Sequence, residues 1–469
     1  MQNEVDLLLN GGIVVSMNDR RQVFSPGYVA ITDGAIVAVG PSHEATGIVA
    51  KHSIRTDNKV VLPGFVNGHT HVSNGIHRGL YDELKLAEWI PFGMWPVLRS
   101  LTQDRSYYGT KVTIAENLLC GVTTGVIGEF SSPDHHAIDG ALSALTESGM
   151  RAVVARICVD EGESDDPSQA SPEDVRESID GVLAEVDRLR KTYDSSLIEV
   201  VPEPLGVLRC SPDMVKALTA YARSEGTRMT MHVASSPDES EECMRLYGVG
   251  SVERLSQLGV LGPHLLIAHC VIANDRELAM LAEAKTGVSH NPVSNLMYAV
   301  GTAPLAEMID VGVRVGLGTD GSTTNNGQNM WETMKMAMFL QKARFDATWG
   351  SGELALELAT IGGARAIGMD DSIGSLEVGK RADMIVVDLD VPQLVPRQVW
   401  PSNLVYSNHS SAVRTVIIDG KTLVDDGQLV GWDMADVATN ANRAAEEVNR
   451  ATGLADRYRS RTRWEWIES

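Results

Sequence analysis

Short apolar runs open the chain: Leu7-Leu8-Leu9, Ile13-Val14-Val15, Tyr28-Val29-Ala30-Ile31 and Ala35-Ile36-Val37-Ala38-Val39. Turn formers separate them, notably Asn10-Gly11-Gly12 and Asp33-Gly34, so this region predicts a small antiparallel β unit. A matching set returns near the other end, with Met384-Ile385-Val386-Val387 and Val413-Arg414-Thr415-Val416-Ile417-Ile418. Hairpins at one terminus alone bury too little surface to stand by themselves. The economical expectation is one β-sandwich built from both chain ends, residues 1–60 with 376–433. A larger unit, 61–375, is inserted between them. From 434 to 469, Ala, Asn, Arg and Glu recur at helical spacing before Trp464 and Trp466, which predicts a C-terminal helical tail and a contact between copies.

The inserted region repeats one unit. An apolar helical stretch ends at a glycine or polar break, a buried strand follows, and the strand stops at a polar residue. The pattern runs through Ala141–Gly149 into Arg151–Ile157, and through Met214–Gly226 into Arg228–His232. It continues through Val252–Gly259 into Leu265–His269, Glu277–Gly287 into Val288–His290, and Leu305–Gly312 into Val313–Asp320. Serial helix–strand units with near-continuous apolar strands predict a parallel sheet covered by helices. So many in one unit favour a closed barrel over an open sheet. The expected fold class is therefore α/β, a (β/α)8 TIM barrel with a small β-sandwich. In such a barrel, functional residues sit at the C-terminal strand ends. His232, His269, His290 and Asp320 all fall there. Beyond the barrel, Leu354–Met369 predicts a single amphipathic helix.

Composition narrows the function. Apolar residues make up 43% of 469 residues, as in ordinary globular proteins. A formal charge of −22 argues against nucleic acid as a partner. The five cysteines show no paired spacing and read as reduced, buried thiols. No uncharged apolar run approaches the ~20 residues of a membrane span, and the acidic N-terminus lacks a signal-peptide pattern. A soluble cytoplasmic protein is the expectation. The acidic stretch Asp160–Pro167 reads as a solvated loop.

The candidate chemistry begins at Val60-Val61-Leu62-Pro63-Gly64-Phe65-Val66-Asn67-Gly68-His69-Thr70-His71. Side chains i and i+2 of a strand share a face, so both imidazoles can offer a nitrogen to one metal ion. With twelve histidines in the chain, an H-x-H pair alone is weak evidence. Order and spacing strengthen it. Downstream lie Gly121-Val122-Thr123-Thr124, the strand-end histidines, and His290-Asn291-Pro292-Val293-Ser294-Asn295. Gly316-Leu317-Gly318-Thr319-Asp320-Gly321 and Gly374-Ser375-Leu376-Glu377-Val378-Gly379-Lys380-Arg381-Ala382-Asp383 follow. Together these motifs resemble the amidohydrolase superfamily, in its branch of triazine hydrolases and adenosine- and guanine-type deaminases.

The resemblance implies one divalent metal ion, zinc before iron, manganese or cobalt, held by His69, His71, His232 and Asp320. It implies that Asp320 takes a proton from the attacking water, and that His269 polarises the electrophile or orients the nucleophile. It also implies a small-molecule substrate and a homodimer or higher homo-oligomer. Around this set, His290 reads as structural or close to the substrate. His77 and the pair His135-His136 read as exposed loop residues, with His77 retained as a substrate-contact candidate. Trp89 and Trp95, after the first strand, are placed to line a pocket.

One departure matters. Family deaminases follow the strand-five histidine with glutamate three positions on, an acid that protonates the ring nitrogen of an amidine. Here the stretch is His232-Val233-Ala234-Ser235. A serine hydroxyl is no comparable proton donor near neutral pH. Either another acid reaches in, from Asp238, Glu239, Glu241, Glu242 or Glu203, or the substrate does not need this protonation. Glu203 is alternatively an extra metal ligand, and Glu129 is a further acid with no assigned role. The expected function is metal-dependent hydrolysis of a non-peptide C–N bond (amide, amidine, carbamate or urea type) in a small heterocycle. Ring deamination or chlorohydrolysis is the alternative within the enzyme class, and a non-catalytic ligand-binding relative the alternative outside it.

Overall fold

The computed structural model describes residues 4–130, 133–166 and 169–459. Eight strands run parallel: β1 (Phe65–Thr70), β2 (Val122–Phe130), β3 (Arg151–Cys158), β4 (Ile198–Pro204), β5 (Met229–Val233), β6 (Leu265–His269), β7 (Gly287–His290) and β8 (Arg314–Leu317). They form two four-stranded sheets, each in sequence order, β1 to β4 and β5 to β8. Nearly every residue of these strands is buried, as expected where helices cover a parallel sheet. At one seam, His232 N donates to Leu205 O, and Gly206 bridges His232. At the other, Asp320 N donates to His69 O at 2.9 Å.

The connecting helices start and stop where local chemistry dictates. Ala137–Ser148 ends at Gly149, whose φ of +70° admits the left-handed turn that delivers the chain to β3. Pro212–Ser224 begins with Pro at its first turn and Ser211 capping Met214 N. Asp275–Ala284 opens on a reciprocal cap between Asn274 and Glu277. The single helix expected over 354–369 is instead three segments: Gly352–Glu357, a π turn at Leu358–Gly362, and Gly363–Ala366. The break accompanies very close backbone packing. A Cβ on Gly316 would meet Gly363 Cα at 2.7 Å, and one on Gly287 would meet Ala366 O at 1.9 Å.

Strands from both chain ends make two further sheets. The first runs Gln428–Leu429, Lys421–Asp425, Val413–Ile418, Met384–Asp388, Lys59–Pro63, Ile13–Val15, Val23–Phe24. The second runs Ala35–Pro41, Gly27–Thr32, Glu4–Asn10, Val49–Arg55. Leu9, Ile31 and Ile36 from the second pack on Val14, Val61, Val386 and Ile417 from the first. The unit is not purely antiparallel as expected, because Glu4–Asn10 pairs Val49–Arg55 in parallel and Ile13–Val15 pairs Lys59–Pro63 in parallel. Val49–Arg55 is an edge strand whose residues are mostly exposed, so it carries no apolar signature.

The helix Met434–Thr452 is capped by Asp433 and lays Ala441, Ala444 and Val448 on Ile76, Leu101 and Ala137 of the same chain. Its apolar stripe is thus covered within the chain. Trp464 and Trp466 lie outside the described residues. Of the acidic loop, Glu161, Glu163 and Asp165 are exposed, while Ser164 is buried and hydrogen-bonds Glu242; Pro167 lies outside the described residues.

Candidate active site

The Pro63-Gly64 break sets the first two imidazoles. Lys59–Pro63 belongs to the sandwich and β1 to the parallel strands, and the chain passes between them where a Cβ on Gly64 would collide with Thr123 at 2.1 Å. His69 then lies on β1 and His71 just past its end, with ring centroids 4.8 Å apart. Asn67 ties this strand to the loop after β8. Its Nδ2 donates to Thr319 Oγ1 at 2.8 Å, and its Oδ1 accepts from Thr319 N at 3.0 Å. Asp320 is thereby held beside the histidine pair.

Three more strand ends complete the cluster. His232 on β5 sits 4.7 Å from His69, centroid to centroid, and stacks on His71 at 5.5 Å. Asp320 Oδ1 is 3.7 Å from His69 Nε2 and 3.6 Å from His71 Nε2, while Oδ2 is 3.8 Å from His269 Nε2. The outer ring nitrogens of His71 and His269 are engaged, and that of His232 faces a carboxylate. His71 Nδ1 donates to Gly128 O at 2.7 Å, His269 Nδ1 lies 3.0 Å from Asn295 Oδ1, and His232 Nδ1 lies 3.1 Å from Glu203 Oε1. Such partners fix the tautomer and turn the Nε2 lone pairs inward.

The residues fit a metal ion. His69 Nε2 is buried without a hydrogen-bond partner among the described residues, a costly arrangement unless something else satisfies it. His69, His71 and His232 offer nitrogens within 4.8 Å of one another, as do His69 and His269 with an oxygen of Asp320. Ligands ~2.1 Å from a tetrahedral ion stand roughly 3.4 Å apart, close to the Asp320 spacings above.

Electrostatics agree. Burial, followed by the neighbouring His232, pushes His69 well below the ordinary imidazole range, so it is a neutral donor. Burial opposes charge on Asp320, but His69, His269, His71 and the Ser294 hydroxyl outweigh it and hold the carboxyl well below its ordinary value. Burial also lowers His269. At His232 burial is outweighed by the Glu203 carboxylate, and the pKa lies above the ordinary value. The backbone is strained here too. His269 has φ +78° and Asp320 φ +62°, left-handed conformations that cost non-glycine residues of order 1–3 kcal/mol each.

These strand ends open into a cavity of about 1240 Å³, mouth included. Its walls are largely apolar, with Trp89, Met94, Leu98, Phe130, Leu205 and Val207 among them. Ser235 and Trp89 line it, as do His71, His232, His269 and Asp320. Three further candidates stand back from the cavity. Glu203 is 1% exposed and lies behind His232 rather than on the cavity wall. His290 is fully buried and outside the lining, in keeping with its structural reading. His77 is buried on the short helix Ser73–His77, neither exposed as expected nor against the cavity. Trp95 packs edge-on to Phe130 instead of lining the space, and His135 and His136 are exposed.

Other site residues carried weaker signals. Ser294 donates to Asp320 Oδ2 at 2.6 Å, and Asn295 faces His269; both stand in the quoted 290–295 motif, which assigned them no role. Glu129 accepts from Val72 N, Ser73 N and Ser73 Oγ, and so fastens the turn after His71. Among the acids after His232, Glu239 alone lines the cavity. Glu242 is committed to Arg245 and Ser164, and Asp238 and Glu241 are exposed.

Three imidazoles and a carboxylate converging at the ends of parallel strands, beside a further imidazole and a largely apolar cavity, are the equipment of a metal-dependent hydrolase. The chain belongs to the amidohydrolase family, whose model matches residues 60–423, and it is a hydrolase acting on carbon–nitrogen bonds other than peptide bonds. It is 35% identical to a 5-methylthioadenosine/S-adenosylhomocysteine deaminase of Syntrophobacter fumaroxidans, over 95% of this chain and 99% of that one. It is 33% identical to a 5'-deoxyadenosine deaminase of Methanosarcina mazei, over 94% and 98%. Among solved structures it resembles a zinc-bound adenosine deaminase from Xanthomonas campestris (TM-score 0.89, 29% identity, 96% of this chain and 100% of that chain). A zinc-complexed atrazine chlorohydrolase from Arthrobacter aurescens shares the fold, with TM-score 0.87 and 24% identity over 94% and 100%.

Proposed function

We propose that this protein hydrolyses a C–N bond of a small heterocyclic molecule with the help of one divalent metal ion, zinc in the first instance. The observation that carries the reading is the convergence of His69, His71, His232, His269 and Asp320, distant in sequence, within a few ångströms. In this reading the eight strands close into a barrel, supported by the hydrogen bonds at both seams. The sandwich and barrel meet at Pro63–Gly64, since Lys59–Pro63 pairs with Met384–Asp388. Iron, manganese and cobalt suit the same donors. No helix among the described residues is long and apolar enough to cross a membrane; a cytoplasmic location and a homodimer or higher assembly belong to the proposal.

When bound, the ion supplies the Lewis acidity that makes a water nucleophilic at neutral pH. His69, His71, His232 and Asp320 would hold it. The Asp320 carboxylate accepts a proton from the attacking water and passes it to the leaving nitrogen. His269 donates Nδ1–H to Asn295 and so presents the Nε2 lone pair, which orients the water towards the electrophilic carbon. The apolar walls exclude bulk solvent and strengthen these interactions. Ring deamination is the reading the named relatives favour, since they are deaminases by name and align with this chain over nearly its whole length.

The test joins metal analysis to turnover. Purified protein should carry about one equivalent of metal, lose activity on chelation and regain it with zinc. Asp320→Asn should abolish turnover by orders of magnitude. A chain that binds no metal, or keeps its rate after that substitution, is not this enzyme.

A further inference from the structure

The corner where family members place a proton-donating glutamate holds a different device. Ser235 Oγ, on the cavity wall, donates to Glu239 Oε2 at 2.5 Å. The same carboxylate accepts from Ser235 N and Ala234 N, each at 2.8 Å, and from Ser251 Oγ at 2.7 Å. Glu239 is 7% exposed. Ser236 caps Glu239 N, which fixes the first turn of the helix Pro237–Tyr247 and aims the carboxylate back at Ser235. Four donors converge on two oxygens, so this carboxylate is an acceptor with its capacity used.

The hydroxyl therefore has one proton, already committed, and only lone pairs left for the cavity. Turning it to donate into the cavity would strip Glu239 of a charge-assisted hydrogen bond, about tenfold or more in binding. An N–H placed against Ser235 is accepted without loss. A bare ring nitrogen there meets lone pair against lone pair.

We infer that Ser235, oriented by Glu239, selects heterocycles whose ring nitrogen beside the reacting carbon carries hydrogen, in lactam or cyclic-urea form, over adenine-type amidines with a bare nitrogen. This rests on the hydrolase reading and narrows its substrate class. The chemistry stays balanced: the ring C–N bond breaks, the OH of water goes to the carbonyl carbon and its H to the ring nitrogen, which departs as an amine still carrying its own hydrogen. Ser235 is thus a specificity-determining residue, and Glu239 a positioning residue behind it.

The test uses zinc-reconstituted protein and three flat ligands suited to apolar walls. Quinazolin-4-one carries the ring N–H, its 3-methyl derivative lacks it, and 4-aminoquinazoline has a bare ring nitrogen. Calorimetric Kd values should favour quinazolin-4-one about tenfold or more over the other two. Ser235→Ala should shrink that gap to about threefold or less. Ser235→Glu, which restores an ionisable acid, should shift preference towards 4-aminoquinazoline. Equal affinities in the wild type, a gap unmoved by Ser235→Ala, or no binding of quinazolin-4-one at millimolar concentration would overturn the inference. An unmoved gap would leave Ser235 a mere helix-entry residue. Because binding needs no turnover, a protein that discriminates among these ligands yet hydrolyses no C–N bond contradicts the proposed function and not the selection.

Discussion

Two buried polar clusters occupy opposite ends of the parallel strands, and they are built on opposite principles. At the start of β3, Arg151 Nε and Nη2 reach Asp383 Oδ2 and Oδ1 at 2.7 and 3.1 Å. Arg151 Nη1 donates to Ser196 O, and Asp383 Oδ1 also accepts from Asp419 N. This cluster fastens the sandwich to the parallel strands, and both oxygens of Asp383 are paired. At the far ends, His69 Nε2 has no partner among the described residues, and the backbone at His269 and Asp320 is strained. A matched network stabilises and does nothing else. An unmatched one stores interaction capacity for an ion and a substrate, at a standing cost in stability.

Substitutions should separate the two. The largest effect belongs to Asp320→Ala, which should lower kcat/KM by at least about 10³ and remove bound metal. Thermal midpoints of the metal-free proteins should fall less than they do for Arg151→Met, and an equal or larger loss of apo stability would mean the site is not the unmatched end. Arg151→Met should behave in reverse. It strands the Asp383 carboxylate and should cost about 3–5 kcal/mol in denaturant unfolding while metal stoichiometry stays intact.

Acid should discriminate next. Burial, with Arg105 nearby, pushes His77 down to about 3, and burial, with His269 nearby, pushes His290 down to about 3. Both are neutral in the fold but bind a proton near 6.5 when unfolded. The unfolded state thus holds more protons between those values, so stability rises with pH up to about 6.5 and falls below it. By pH 5.5 the loss should reach about 2 kcal/mol for the pair in metal-free protein, and His290→Asn should flatten the profile. A flat profile in the native sequence would show that these rings are solvated. The smallest effect is Glu203→Gln. The amide still occupies the space behind His232 but withdraws the carboxylate, and metal affinity should fall about tenfold in a chelator competition. No change would remove Glu203 from the site's support.

The strand-end positions of His232, His269 and Asp320 and the H-x-H spacing of His69 and His71 were readable in sequence because they are local facts, whereas their reading as a metal-holding set came from the family resemblance. The alternation of helix and buried strand was readable too. The side chains behind the histidines were not. Nothing in Pro202-Glu203-Pro204 announces that β4 delivers its carboxylate to the back of His232 instead of to the substrate, since that depends on the seam between β4 and β5. His77 looked like a loop residue because its burial comes from the distant helix Gln103–Cys120 and the C-terminal helix Met434–Thr452. Glu239 was one of four nearby acids, and only the turn set by Ser236 distinguishes it. Val49–Arg55, polar at an edge, had no pattern to read. Residues whose role depends on tertiary neighbours leave little mark in a single sequence.

The pairing of Lys59–Pro63 with Met384–Asp388 carries a consequence for biosynthesis. More than three hundred residues emerge from the ribosome between these partners, so the earliest strands wait, edges open, until nearly the whole chain exists. The inserted portion should acquire protease resistance first, and the terminal strands should be the stretch most in need of chaperone cover. A nascent chain halted before residue 384 would expose that vulnerability directly.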